Sequence, residues 1–163
     1  MRSHAALALL YGTLALAGCR ASPPTHGRQD GIVCPEGTAL DDRGDACAHF
    51  TGCVDHDGKL QGPAAETTEG SRAEGSYEGG LPHGTWRVVD ARTGRLLGTY
   101  AMSHGEGLER RWWPSGELLW EGRVHLGSPD GVWRYFSREG KTTRTEEWKN
   151  GALVREEGAP ICG

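Results

Sequence analysis

Aromatic and glycine residues return along this chain at an interval of about 24, and that period limits the fold more than any other feature. Tyr77, Tyr100, Val124 and Trp148 are separated by 23, 24 and 24 residues. Three positions after each stand Gly80, Ser103, Gly127 and Gly151. Four further on come Gly84, Gly107 and Gly131, with Arg155 in the last, shortened copy. Trp86, Glu109 and Trp133 follow two places later, and Gly94, Gly116 and Gly140 close the units. A register held over three intervals marks a repeated structural unit.

One unit, GSPDGVWRYFSREG, reads as a β-hairpin. Trp133 and Tyr135 lie two apart and share one face of a strand, while Arg134 and Phe136 point the other way. Ser137 to Gly140 supplies turn chemistry, glycine taking positive φ at little cost. The return strand is clearest in GELLWEGRV, where Leu118, Trp120 and Val124 fall on one parity. Single hairpins of this size are marginal, so their apolar faces must be covered by neighbours in series. An earlier copy is eroded: Gly58, Gly62 and Gly70 keep the glycine spacing, but PAAETTEGSRAEG has no aromatic. That stretch is consistent with a weak edge hairpin or a loop.

The register Y-x-x-G-x-x-x-G-x-W, set by Tyr77, Gly80, Gly84 and Trp86 and followed by Gly94 and Tyr100, resembles the MORN-repeat family. It is more similar to the bacterial variant, in which an aromatic stands where the usual repeat has a second glycine. The likeness runs from about Gly58 to Arg155; Glu109 departs from it in the Trp place, Ser103 and Arg155 in Gly places, and Val124 in a Tyr place. It implies an all-β protein, an elongated antiparallel meander of hairpins in a single-layer sheet, and a scaffolding or binding role. Gly107 and Trp148 complete the set of residues that define the repeat.

The amino terminus sets the compartment. MRSHAALALLYGTLALAGCR places one positive charge before a short apolar run that ends in small residues, the pattern of an export signal over 1–18. Leu16, Ala17, Gly18 and Cys19 resemble the lipobox of bacterial lipoproteins, which implies lipid on the Cys19 thiol and cleavage before it. Acyl chains contribute about 0.8 kcal/mol per buried methylene, so two or three anchor a protein firmly. Arg20, where enteric lipoproteins retained at the inner membrane carry Asp, favours an outer-membrane address. Residues 19–31 are rich in Pro, Gly and polar side chains and read as a flexible tether.

A Cys-rich segment, 32–57, separates the tether from the repeats of 58–163. Cys34, Cys47, Cys53 and Cys162 form an even set in an oxidising compartment and read as two disulfides. Three pairings are open; one bridge within the 34–53 cluster and one reaching Cys162 is the preferred arrangement. Zinc is disfavoured because no CxxC-type pair occurs. The formal net charge of −4 argues against nucleic acid as a partner.

Candidate chemistry is sparse. Asp55, His56 and Asp57 resemble the start of a calcium loop, but Lys59 stands where an oxygen ligand belongs, so a turn closed by Gly58 is preferred. His83, His104 and His125 recur every 21 residues, out of step with the repeat. No nucleophile elbow, HExxH motif or phosphate loop occurs, and no pair of carboxylates is singled out for glycoside hydrolysis. The reading is therefore a non-enzyme without metal or cofactor. The aromatics offer the main candidate: Arg110, Arg111, Trp112 and Trp113, with Tyr135 and Phe136, suit stacking on sugars or capture of a peptide. The preferred alternative is that the same rings supply the core of a thin sheet, although a single layer leaves some of Trp112, Trp113, Tyr135 and Phe136 uncovered.

Overall fold

The computed structural model describes residues 31–45 and 47–158. Their strands are β1 (Ala39–Gly44), β2 (Ala48–Val54), β3 (Leu60–Thr68), β4 (Ser71–Glu78), β5 (Leu81–Asp90) and β6 (Leu96–Ser103). They continue with β7 (Glu106–Trp112), β8 (Leu118–His125), β9 (Ser128–Pro129), β10 (Gly131–Phe136), β11 (Thr142–Lys149) and β12 (Ala152–Gly158). All twelve belong to one antiparallel sheet in which each strand pairs with its sequence neighbour, except that β8 is followed by both β9 and β10. The fold is the open all-β meander that the repeat implies. The signal, the lipobox cysteine Cys19 and Cys162 lie outside the described residues.

The period maps onto tight turns. Gly79 and Gly80, His104 and Gly105, Leu126 and Gly127, and Asn150 and Gly151 form two-residue connections, every central residue having positive φ. That backbone matches strand twist and belongs to the favoured hairpin turns. The turns also stack on one edge. The amides of Gly80, Gly105, Gly127 and Gly151 donate to the carbonyls of Leu60, Pro82, Gly105 and Pro129 at 2.9 to 3.0 Å. In the second copy the turn glycine is Gly105 and not the residue at the Ser103 position, because β6 runs two residues further past Tyr100 than β4 runs past Tyr77. Gly62, Gly84 and Gly131 adopt positive φ near the start of their strands, whereas Gly107 does not.

The eroded copy forms a complete internal hairpin, β3 and β4, with its turn at Glu69 and Gly70. Its want of aromatics has a packing reason. Ala64, Ala73 and Gly75 lie on the face where large rings from neighbouring strands pack, and a Cβ on Gly75 would fall 2.1 Å from the Trp86 indole. The Cys-rich segment adds β1 and β2 to the same sheet, for β2 pairs with β3. On the other face, Ile32, Cys53 and Ala65 form a smaller cluster with Cys34 and Leu40. There Cys34 and Cys53 are bonded, with Cα atoms 5.5 Å apart. Cys47 is also a disulfide cysteine, and its partner lies outside the described residues.

Candidate functional site

Alternation places one parity of every strand on the main core face. The rings there make a ladder across the sheet. Phe50 meets Tyr77, Tyr77 meets Trp86 edge to face at 5.5 Å, and Trp86 lies alongside Tyr100 at 6.0 Å. Beyond β7 the ladder resumes with Trp120 against Trp133 at 5.1 Å and against Tyr135 at 6.4 Å. Glycine makes room for it. Rings of Trp86, Trp112 and Trp133 cover Gly75, Gly98 and Gly122, where a Cβ would fall within 2.5 Å of indole carbon. This second glycine series has spacings of 23 and 24 residues, a signal that marks the repeat but not which ring covers each glycine. It also shows how the second copy keeps an indole: Trp112, and not the residue at Glu109, fills the seat.

β7 interrupts the ladder with charge. Arg111 is fully buried, the largest such side chain of the described residues. Its Nη1 donates to the Glu66 carbonyl at 3.1 Å and its Nη2 to Glu66 Oε2 at 2.7 Å. The guanidinium carbon also stands 5.6 Å from the centre of the Trp120 ring. Glu66 belongs to β3, four strands away, so the sheet curls until β3 and β7 touch across its inner face. Glu109, on the same parity, is hydrogen-bonded to Tyr100. Burial pushes the Glu109 carboxyl up to about 7, against the opposing pull of Arg111. Burial, with the negative field of Glu109, also raises the Tyr100 phenol far above its usual range. Glu66, Tyr77, Trp86, Tyr100, Met102 and Glu109 line much of a cavity of about 80 Å³. The Trp86 indole N–H has no acceptor among the described residues.

Of the six residues singled out as a binding surface, Arg111 is buried, and the other five are partly exposed and do not all share one face. Arg111 faces inward and is sealed by Glu66. Trp112 covers Gly98 within the sheet, and Trp113 donates its indole N–H to the Phe136 carbonyl at 3.1 Å, with Arg138 5.2 Å from its ring centre. Arg110 is on the opposite face, paired with Glu121 at 3.2 Å. Tyr135 donates to Glu146 Oε2 at 2.8 Å, and the Trp148 indole donates to the same oxygen at 2.8 Å. Arg144 joins this second polar group through Glu146 and Glu156, at 2.5 and 3.2 Å. Sequence reasoning missed Glu66, Glu109, Arg144 and Glu146 as partners, since their contacts depend on the register and curl of the sheet.

The turn prediction at Asp55 agrees with the structure: Asp55 Oδ1 accepts the amides of Asp57 and Lys59, both at 2.9 Å. No protein-family model, curated protein or solved structure matches this chain.

Proposed function

We propose that the protein is a non-enzymatic, lipid-anchored component of a bacterial cell envelope, and that its MORN-variant hairpins form a scaffold binding a protein or glycan. One observation carries the binding part. Every residue of β12 is exposed, and the inward residues of the strand before it, Arg144 and Trp148, are only partly covered. Between β3 and β7 the same face is closed by Arg111 and Glu66. The β10 to β12 end therefore presents an aromatic ring beside fixed cations and carboxylates, a composition suited to polar, ring-bearing or extended ligands. The anchor rests on the lipobox-like sequence ending at Cys19.

The test is an envelope crosslinking pull-down that compares the wild type with Trp148→Ala and with the outer-face variant Arg123→Ala. Partners lost only from Trp148→Ala, with an unchanged circular dichroism spectrum, support binding at this end. Identical partner lists favour a purely architectural role. For the anchor, Cys19→Ala is expected to release the protein from the membrane fraction; unchanged fractionation removes the lipoprotein assignment.

A further inference from the structure

Two histidines that the repeat does not align in sequence are brought together by the stacked turns. His83 lies three residues into β5, and His104 opens the turn between β6 and β7. The Gly105 amide donates to the Pro82 carbonyl at 2.9 Å, which pins that turn against the start of β5. The imidazole centres are then 4.2 Å apart. Glu78, the last residue of β4, aims its Oε2 at both rings, 3.8 Å from His83 Nε2 and 3.5 Å from His104 Nε2.

The geometry points to a site for a borderline divalent transition-metal ion, of which zinc is the reference case, held by Glu78, His83 and His104. All three ligand atoms lie within 4.8 Å of one another. Tetrahedral bonds of about 2.0–2.1 Å put ligand atoms roughly 3.3–3.4 Å apart, so an ion among these three requires only small side-chain adjustments. The side chains are 39 to 60% exposed and free to make them. Two imidazoles and one carboxylate form the kind of donor set that selects zinc, nickel or copper over magnesium or calcium. A fourth position faces solvent and is left for water or a ligand from a partner.

Charge supports the same reading. One dication held by two neutral rings and a carboxylate satisfies the lone pairs of all three groups. The other nearby trio, Asp55, His56 and Asp57, is less suited: Asp55 Oδ1 is already occupied by two backbone amides. Among the described residues His125 has a single carboxylate partner, Glu106, which also accepts the Leu126 amide. Binding has one local cost. His83 Nδ1 accepts the His104 amide at 3.2 Å, and coordination through Nε2 moves the remaining ring proton to Nδ1, so that hydrogen bond must open.

The experiment titrates Zn²⁺ into the oxidised full chain by calorimetry and repeats the titration with Co²⁺ followed by absorption. The variants are His83→Gln/His104→Asn, His56→Gln and His125→Gln. Asn is chosen at 104 because that residue has φ of 47°, a conformation Asn tolerates. One equivalent is expected to bind, with visible cobalt bands lacking thiolate charge transfer and a shift of the His104 amide resonance. The double variant should weaken binding by more than roughly 10- to 100-fold, the loss found on removing even an outer-sphere partner, and the two single variants should bind normally. No saturable binding to the wild type overturns the site. So does normal binding to the double variant, or loss of binding in His56→Gln or His125→Gln.

Discussion

Arg111 shows how one residue can settle what a repeat unit does. The sequence places it in an exposed-looking run, LERRWW, yet strand alternation and the curl of the sheet deliver it into the core. Arg111→Ala leaves Glu66 and Glu109 without their cation and is expected to lower stability by about 3–5 kcal/mol, measured by urea unfolding. Joint replacement by Arg111→Met, Glu66→Gln and Glu109→Gln should recover much of that loss, because well-packed neutral groups avoid the desolvation of ions. Glu109 has its own signature. Its carboxyl titrates near 7 when folded, against an ordinary value of 4.5, so the folded chain holds a proton that the unfolded chain has released between those two values. That contribution is fully present below 4.5 and is lost as pH rises from there to about 7, a change on the order of 3 kcal/mol. Asp45 and Asp55 act in the opposite sense: backbone hydrogen bonds hold their carboxyls low, giving stability that is lost in acid. Urea midpoints from pH 4 to 9 should therefore fall between about 4.5 and 7 and level off above that for the wild type, and Glu109→Gln should flatten the descent.

At the scale of the element, the turns were the most legible part. The glycine period marks one connection per unit, and the structure places these connections at 79–80, 104–105, 126–127 and 150–151. The second lies two residues beyond the Ser103 position because β6 extends further before it turns, and Met102 stands three residues before Gly105 as Tyr77 stands before Gly80. Leu126 is a weak point. It is 65% exposed and holds φ of 49°, which a branched apolar side chain adopts at a penalty of roughly 1–2 kcal/mol. Leu126→Asn keeps the backbone amide that Glu106 accepts at 2.9 Å and is expected to raise the thermal midpoint, with a gain of about 0.5–1 kcal/mol. The aromatic units were legible as strands but not as ligand-facing or core-facing. Trp112 and Trp113 are neighbours in sequence, and only the bulge between Arg111 and Trp112 decides that Trp112 turns onto Gly98.

Across the whole molecule, the sheet remains open at both ends and is stabilised on its second face by the segment held at Cys34 and Cys53. Cys34→Ser/Cys53→Ser releases a loop with a sequence separation of 19 and is expected to reduce stability by about 2–3 kcal/mol, read from urea midpoints. The exposed strand β12 ends the sheet with Arg155, Glu156 and Glu157, charges that discourage pairing of edges between molecules. By itself the sequence determined the hairpin period, the all-β meander and the general place of the turns, because those depend on local φ preferences and on alternation over a few residues. The tertiary structure alone decided that Glu66 reaches Arg111, that small residues seat the indoles and that His83 meets His104. Such contacts join positions 11 to 45 residues apart, and their distances are set by the register, bulges, twist and curl of the strands.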